Sequence, residues 1–311
     1  MSEDKIKIAV HNGNFHADDC VAYSIISAIY PDNELVRTRT PEVLEQCKFR
    51  LDVGGRYNGE TDFDHHQRDF MEARTDNDKI KYASAGLVWK HFGEEYIKAK
   101  SKELSAEQIT FIKNEIDYTF IRYVDANDNG INIVSEEIPS FSKIIFLFNY
   151  RFGYINNFGF IRGATLAADI IDGMIEQLTK YLESEKVVMQ ALEENGNKPI
   201  LILPQKVAFQ DVINRHWDQF INIQLAVYPE TNCEKWRIKS LNDDPKDRFS
   251  NRCKAPEAWR GIMDSELEKV TGIADVDFVH PNGFTGGAKN KDAAIQMAQK
   301  WCEIVSCQQN S

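Results

Sequence analysis

The first sixty residues alternate between short apolar runs and segments with helical spacing, and this alternation restricts the fold more than any other feature. Three apolar runs have the length and bounds of buried strands: Lys5–Val10, Glu34–Arg39 and Phe49–Val53. Between them, Asp18–Ile29 has apolar residues at helical spacing, and Thr40 before Pro41 is typical of a helix start. Strands separated by helices form βαβ units, which predict an α/β fold with a mostly parallel sheet and helices on both faces.

A break in composition divides the rest of the chain. Residues 84–122 have a helical pattern, with Ser84 as a candidate cap. A long helical pattern follows over roughly 164–193 and ends at Glu194–Pro199, where Asn, Gly and Pro are concentrated. Strand-like runs follow the break, and Ala293–Val305 has the spacing of a C-terminal helix. At 311 residues the chain is long enough for two domains. We therefore predict a first domain over residues 1–195 and a smaller α+β domain over residues 196–311.

Composition excludes some classes of function. The net charge of −11 argues against broad non-specific binding of nucleic acid, which depends on basic surface, but it leaves room for a local basic groove. The apolar runs are far too short to cross a membrane. Six cysteines without a CxxC pair are typical of reduced thiols, and residues 1–10 resemble neither a signal peptide nor a transit peptide. These features predict an intracellular protein, cytoplasmic or nuclear, that binds no membrane.

Histidine and aspartate are concentrated in two packets that follow predicted strands. The first packet runs from His11 to Asp19 in the string HNGNFHADD, and the second from Asp62 to Gln67 in the string DFDHHQ. Asp52 lies at the end of the strand that precedes the second packet. Ligands in a parallel sheet gather at the carboxyl ends of strands, so both packets fall where a site is expected. Imidazole and carboxylate without thiolate suit a catalytic site for Mn, Mg, Co, Fe or Zn, in which Asp52 could bridge two ions.

Each packet also has a purely structural interpretation. Asp18 and Asp19 could cap a helix, and Asp64–His66 could form a solvated turn, but two packets at strand ends favour a metal site. A third packet, VDANDNG, contains Asp125 and Asp128, and it lacks the Gly and the Glu that a calcium loop requires. It either supplies another carboxylate to the site or forms a turn rich in Asp, Asn and Gly.

Two segments of the predicted second domain contain groups that bind anions. The string HPNGFTGGAK, from His280 to Lys289, places glycines between a predicted strand and a helix. That arrangement can cradle phosphate and is equally typical of a flexible turn. The stretch Lys246–Arg260 contains five basic residues against Asp247 and Glu257. Such a run is usually a solvated face, and here it is also the best candidate for an anion-binding surface.

Several strings occur in a specific order along nearly the whole chain, from about Ile8 to Ala298. They are HNGNFHADD, LDVGG, DFDHHQR, SAGLVWKHFG, VDANDNG, RFSNRCKAPEAWRG and FVHPNGFTGG. In this order they resemble the melanocyte-proliferating-gene family, whose members are predicted metal-dependent hydrolases related to the DHH phosphoesterases. The combination is far more specific than any one string.

The resemblance implies a DHH-type catalytic domain, a smaller substrate-gripping domain, and 3′-to-5′ hydrolysis of RNA or short oligonucleotides with two ions of Mn, or of Mg, Co or Zn. The metal ligands that it implies are His11, His16, Asp18, Asp52, His65 and one of Asp125 and Asp128. The catalytic residues that it implies are Asp52, Asp64, which would orient a ligand, and His66, which would face the substrate phosphate. The candidate substrate-binding residues, chosen as groups that bind anions, are Arg37, Arg39, Arg260, His280, Gly286, Gly287 and Lys289.

The chain departs from the family pattern near the expected site. Thr40 stands where the family usually has an Asp, and both residue types cap helices well. Asn58 and Gly59 replace the more usual Asp-Pro in the loop before the second packet. The set of implied ligands is complete without either position, so we expect the chain to be active.

Three functions are therefore open. The first is a two-metal phosphodiesterase acting on RNA or short oligonucleotides. The second is a small-molecule phosphohydrolase, acting on pyrophosphate or a nucleotide, which the acidic charge and the absence of an aromatic-rich basic tract slightly favour. The third is an inactive metal-binding scaffold, which Thr40 favours. The sequence leaves a homodimer open.

Overall fold

The computed structural model describes residues 5–75, 78–131, 139–196, 198–247 and 249–309. Asn197 of the predicted linker, Arg248 of the basic stretch, and residues 1–4 of the N-terminal segment lie outside the described residues. The chain forms two compact units, Met1–Leu178 and Thr179–Ser311. Their boundary falls inside one continuous helix, and the domain boundary after residue 195, where that helix ends, stays a prediction.

The first unit contains the parallel sheet that the alternating pattern predicts. Its strands are β1 (Ile6–Val10), β2 (Asn33–Arg37), β3 (Phe49–Leu51) and β4 (Asp62–Phe63). They lie in the order β2-β1-β3-β4, and every neighbouring pair is parallel. Parallel pairing aligns the carboxyl ends of β1, β3 and β4 at one edge of the sheet. The predicted α/β class is confirmed.

Helices connect and cover these strands. In this unit they are α1 (Ala17–Ile29), α2 (Pro41–Leu44), α3 (Ser84–Lys100), α4 (Ala106–Ile116), α5 (Arg122–Asp128), α6 (Phe141–Phe152) and the start of α7 (Asn157–Asn195). The helical pattern predicted over 84–122 is interrupted at residue 101, because Ser105 and Gln108 form a capping box that starts α4. A π-helical turn, Asp117–Ile121, joins α4 to α5.

Two predicted helix starts need correction in detail. Thr40 occupies the N-cap position of α2, but its hydroxyl makes no capping hydrogen bond. Ser84 is the first helical residue of α3 rather than its cap, and Ala83 holds the cap position. Local propensity therefore predicts where both helices begin, but it does not predict which groups the two hydroxyls contact.

The second unit contains a mixed sheet with its own core. Its elements are β5 (Ile200–Ile202), α8 (Phe209–Arg215), β6 (Leu225–Pro229), β7 (Trp236–Ser240), α9 (Asp264–Thr271), β8 (Val276–Val279), β9 (Thr285–Ala288) and α10 (Lys291–Gln309). The strand order is β5-β6-β7-β9-β8, with only the β5–β6 pair parallel. Trp259, Met297 and Trp301 are fully or almost fully buried against it. Within the described residues, no helix has both the length and the apolar character that crossing a bilayer requires.

Candidate metal centre

The loop between β1 and α1 brings the first packet to the edge of the sheet. His11 follows β1 directly and is 3% exposed, and His16 is the N-cap residue of α1. Asp18 and Asp19 lie in the first turn of that helix and are fully or almost fully buried. Oδ1 of Asp19 accepts a hydrogen bond from the backbone N–H of His16 at 3.0 Å, which is the capping role that the sequence allowed. Asp18 makes no such bond, so the cap interpretation covers only one of the two carboxylates.

Asp52 lies at the centre of the polar cluster. It follows β3 with a φ of 55°, a left-handed conformation that Asp tolerates better than most residues. Its Oδ2 is 3.3 Å from Nε2 of His11, and its Oδ1 is 3.6 Å from Nε2 of His65. The two oxygens thus face histidines that follow different strands.

The Asp-His-His string presents its two histidines differently. The His65 side chain is 10% exposed, with Nε2 lying 3.0 Å from Oδ2 of Asp128. The His66 side chain is 63% exposed, with Nδ1 lying 2.8 Å from Oδ1 of Asp64. Oδ2 of Asp64 accepts a hydrogen bond from the backbone N–H of Gly55 at 2.6 Å. Both oxygens of Asp64 therefore have a partner, which fixes the orientation of the carboxylate. His65 therefore faces the buried cluster, whereas the outer nitrogen of His66 is free to face solvent or substrate.

The third packet is helical, and its two aspartates have separate environments. Both lie in α5, so the interpretation as a turn is wrong. Asp125 is fully buried, and its oxygens accept hydrogen bonds from Arg74 at 2.7 Å and from the backbone N–H of Gly86 at 2.9 Å. Asp128 instead lies against His65, close to His16 and Asp18. The structure brings Asp128, and not Asp125, to the polar cluster.

Three overlapping groups in the described residues have the donor atoms to hold a metal ion. They are His11 with His16 and Asp52, Asp52 with His65 and His66, and His16 with Asp18 and Asp128. Within each group the donor atoms lie within 4.8 Å of one another. Asp52 belongs to two of the groups, and so does His16. We call these seven residues the candidate metal centre.

Buried polar atoms provide a test of whether a cation fits. Both oxygens of Asp18, Oδ2 of Asp19, and Nε2 of His11 and of His65 are buried without a hydrogen bond of normal geometry in the described part of the chain. Leaving such atoms unsatisfied is costly, because burial removes the water that would otherwise solvate them. A divalent cation would satisfy carboxylate and imidazole lone pairs together, so these donors fit one.

The electrostatics of the cluster agree with this interpretation. Burial alone would lower the pKa of His11, but the carboxylates of Asp19 and Asp52 outweigh it and raise that pKa to about 10. Burial would also lower the pKa of His65, but the carboxylates of Asp128 and Asp52 outweigh it and raise that pKa to about 10. The pKa of Asp18 is raised well above its ordinary value by burial and by neighbouring carboxylates. Each shift reflects surplus negative charge that a cation would neutralise.

The centre opens into a cavity of about 670 Å³, a volume typical of small-ligand sites. His11, His16, Asp52, His66 and Asp128 line this cavity. Arg39 and Arg56 are its basic lining residues.

Sequence comparisons assign the chain to a family. The model of the MYG1 exonuclease family, described as "Uncharacterised protein family (UPF0160)", matches residues 7–301. The chain belongs to this family. A MYG1 protein of Schizosaccharomyces pombe is 30% identical over 316 residues, which cover 95% of this chain and 97% of that protein. The human protein named MYG1 exonuclease is 29% identical over 324 residues, covering 94% of this chain and 85% of that protein.

Solved structures show a weaker likeness. RecJ of Thermus thermophilus, in complex with Mn²⁺, is 14% identical over 96% of this chain and 52% of that chain, with a TM-score of 0.27. A Vibrio pGpG-specific phosphodiesterase is 14% identical over 98% of this chain and 99% of that chain, with a TM-score of 0.28. TM-scores of this size support no inference about the site or its substrate.

Arg37 and Arg39, which flank Thr38 at the end of β2, contact the first packet of this MYG1-family chain. Arg37 donates to the backbone carbonyls of Gly13 at 2.6 Å and Tyr154 at 3.1 Å. Arg39 donates to the side-chain oxygen of Asn12 at 2.8 Å and also to its carbonyl. Arg37 thus braces the loop that carries His11, while Arg39 lines the cavity. A direct contact of either residue with substrate stays a prediction.

The glycine pair of the second unit lies in a strand, which corrects the prediction of a loop before a helix. Gly286 and Gly287 belong to β9 and pair with β7 and β8. A Cβ on Gly286 would lie 2.9 Å from the carbonyl oxygen of Phe278, and one on Gly287 would lie 2.8 Å from its ring. These glycines therefore allow close packing of strands. Their role in binding substrate stays a prediction.

The other second-unit candidates have intramolecular contacts. Arg260 donates from Nε to the carbonyl of Ala255 at 2.8 Å, and Nζ of Lys289 is 3.9 Å from Oε1 of Glu268. Nδ1 of His280 accepts a hydrogen bond from the backbone N–H of Asn282 at 3.1 Å. Within the basic stretch, Arg252 donates to three backbone carbonyls, those of Phe220, Ile223 and Asn242. Each of these groups therefore contacts another residue of the protein, and its part in substrate recognition stays a prediction.

The sequence alone did not predict two buried polar contacts, one to the candidate ligand Asp52 and one to Asp125 in α5. Oγ of Ser84 donates to Oδ1 of Asp52 at 3.1 Å, and both groups are buried. Arg74 donates to Asp125 and, at 2.7 Å, to Asp117. Ser84 is the first residue of the string SAGLVWKHFG, whose pattern predicts a helix start but not a hydrogen bond to Asp52. No local pattern marks Arg74, because its partners are more than forty residues away.

Proposed function

We propose that this protein is a divalent-metal-dependent phosphodiesterase that removes nucleotides from the 3′ end of RNA or short oligonucleotides. The observation that carries the proposal is the position of Asp52, whose two oxygens belong to two groups of candidate ligands. The name MYG1 exonuclease, given to relatives in the family, supports a nuclease rather than another metal-dependent hydrolase. The overlap of the groups at Asp52 supports two ions.

The donor set suits the metals that assist phosphoryl transfer. Imidazole and carboxylate donors without thiolate favour Mn, and they also accommodate Mg, Co or Zn. Bound in pairs, such ions lower the pKa of an attacking water and stabilise the departing oxygen. His11, His16, Asp18, Asp52, His65 and Asp128 would hold them.

Asp64 and His66 have a different task in the proposed reaction. Asp64 accepts a hydrogen bond from Nδ1 of His66 at 2.8 Å, so Nε2 of the same ring is the nitrogen that could contact a substrate. This hydrogen bond, opposed by partial burial, raises the pKa of His66 and favours its protonated form. A protonated His66 at the wall of the cavity can donate to a substrate phosphate oxygen and stabilise the charge that develops there.

The small-molecule alternative is supported by the dimensions of the cavity. A volume of about 670 Å³ is sufficient for pyrophosphate or a mononucleotide. The scaffold alternative depends on Thr40, whose neighbours Arg39 and Pro41 line the cavity. If Thr40 only occupies a helix start, Thr40→Asp leaves the rate of the enzyme unchanged. A large gain in rate would identify the chain as an impaired member of its family.

A single set of turnover assays tests these functions. We would incubate the protein with Mn²⁺ and a 5′-labelled RNA, a 3′-labelled RNA, a dinucleotide or pyrophosphate, with Asp52→Asn as the inactive control. Stepwise shortening of the 5′-labelled RNA from its 3′ end, absent in Asp52→Asn, supports the proposal. Turnover of pyrophosphate alone supports the small-molecule enzyme, and no turnover of any substrate supports the scaffold.

A further inference from the structure

One segment of the first unit differs sharply from the rest of this acidic chain. Residues 139–168 contain Lys143, Arg151 and Arg162 and no Asp or Glu, although the whole chain has a net charge of −11. The same thirty residues contain eight Phe or Tyr side chains. Basic residues interleaved with aromatic residues are typical of surfaces that bind single-stranded nucleic acid.

Helix α6 exposes one face of this segment. Lys143, Phe146, Leu147 and Tyr150 are exposed, whereas Ile145 is buried. The exposed positions are spaced as i, i+3, i+4 and i+7, so they form one stripe along the helix. Tyr150 is 76% exposed, which leaves most of its ring available for contact.

Exposed aromatic residues also occur between α6 and α7 and at the start of α7. Tyr154 and Phe158 are 49% and 59% exposed, and Ile155 between them is almost fully exposed. Scattered apolar side chains are normal on a protein surface, but several large exposed ones within so short a segment are typical of a binding site. We call Lys143, Phe146, Leu147, Tyr150, Tyr154 and Phe158 the α6 face.

The α6 face is continuous with the candidate metal centre. A second cavity, of about 520 Å³, is lined on one side by His16, Asp18 and Asp128. Lys143 and Phe146 line the same cavity, with Nζ of Lys143 lying 5.3 Å from the centre of the Phe146 ring. Asp18, whose carboxylate oxygens make no hydrogen bond within the described residues, is among the residues of this lining. Lys143 and Phe146 therefore lie within reach of a strand that is bound at the metal centre.

We propose that the α6 face binds the substrate strand, with bases stacked on Phe146 and Tyr150 and a backbone phosphate paired with Lys143. This inference rests on the proposed function, and it adds the residues that distinguish a polynucleotide from a small phosphoester. Aromatic rings stack on any base, so the face binds without strong sequence preference. Lys143 supplies a local positive charge for a backbone phosphate, although the protein as a whole is acidic.

Charge complementarity favours a nucleic acid over a second copy of this chain. In a two-fold dimer built on this face, each segment would meet the same segment of its partner. Lys143 and Arg151 would then face other cations, because residues 139–168 contain no acidic side chain to pair with them. A phosphate backbone supplies the opposite charge that these residues lack.

The test is a binding measurement that does not depend on turnover. A fluorescent ten-nucleotide RNA with phosphorothioate linkages is titrated by anisotropy, in the presence of Mn²⁺, against wild type, Tyr150→Ala, Tyr150→Phe and Lys143→Gln. Tyr118→Ala is the matched control, because Tyr118 is 64% exposed and lies outside the α6 face. We expect Tyr150→Ala to weaken binding by about tenfold, Tyr150→Phe to retain it, and Tyr118→Ala to leave it unchanged. Lys143→Gln weakens binding at low salt and reduces the slope of affinity against salt concentration.

The possible failures are distinguishable. RNA binding through Tyr150 and Lys143 without hydrolysis of any phosphodiester overturns the proposed function and supports the inference. Hydrolysis of RNA with equal affinity in wild type, Tyr150→Ala and Lys143→Gln overturns the inference alone. Light scattering tests the rival occupant: a dimer that Tyr150→Ala converts to monomer, with RNA affinity unchanged, assigns the face to a second copy and overturns the inference.

Discussion

Ser84 donates a hydrogen bond to Asp52 across 3.1 Å, and both side chains are buried. The first residue of α3 thereby fixes the orientation of the carboxylate that two groups of candidate ligands share. Oδ1 of Asp52, which accepts this bond, is the oxygen that faces His65, while Oδ2 faces His11. The hydrogen bond therefore determines how the two oxygens are divided between the two groups.

Loss of this hydrogen bond should weaken metal binding without unfolding the protein. Removal of a group that orients a metal ligand commonly lowers affinity by about 10–100-fold, and we expect Ser84→Ala to do so for Mn²⁺ by calorimetry. Ser24→Ala is the control, because Ser24 is also buried and its hydroxyl donates to the carbonyl of Val21 in its own helix rather than to a candidate ligand. Equal Mn²⁺ affinity in wild type and Ser84→Ala would remove Ser84 from the centre.

The two aspartates of α5 should separate metal binding from stability. Asp128→Asn is expected to lower Mn²⁺ affinity, because Asp128 lies beside His16, Asp18 and His65. Asp125→Asn is expected to lower the free energy of unfolding by about 2 kcal/mol, since it weakens a buried, charge-assisted bond to Arg74. Metal titration and urea unfolding of both variants check this division. The reverse result, with Asp125→Asn losing metal and Asp128→Asn retaining it, would show that Asp125 is the ligand.

The adjacent histidines should have different phenotypes. His65→Ala is expected to lose Mn²⁺ affinity, because its Nε2 faces Asp52 and Asp128. His66→Ala is expected to retain metal and to lose about a hundredfold in kcat, because it stabilises charge on the substrate phosphate. Metal content and kcat, measured on the same preparations, decide between these roles. Similar loss of metal in both variants would make His66 a ligand, as its position near Asp52 also allows.

Metal affinity should rise with pH through the neutral range. The carboxylate neighbours of His11 and His65 outweigh burial and raise their pKa values to about 10, which favours the cationic, doubly protonated form of both rings at neutral pH. A ligating imidazole must be neutral, so metal binding releases these protons and is favoured as pH rises. Calorimetry in buffers of different ionisation enthalpy, between about pH 6 and pH 8, measures the protons released. An affinity that is constant or falls over this range would contradict the assignment of both histidines.

The sequence by itself determined the elements and the location of the chemistry. Lys5–Val10, Asp18–Ile29 and Phe49–Val53 predicted β1, α1 and β3 to within two residues at each end. The reason is local: hydrophobic period, caps and breakers act over a few neighbouring residues. The order of strand and helix then placed His11 and Asp52 at the same sheet edge, because parallel strands align their carboxyl ends.

Only the tertiary structure decided which side chains meet. Asp125 and Asp128 are three residues apart on one helix, and the packing of α5 directs one to Arg74 and the other to His65. Gly286 looked like part of a loop, but its pairing with β7 places it in a strand. The stripe of exposed residues on α6 likewise became visible only when the buried side of that helix was known. Long-range packing sets these outcomes, and a local pattern does not encode the residues that lie opposite it in the fold.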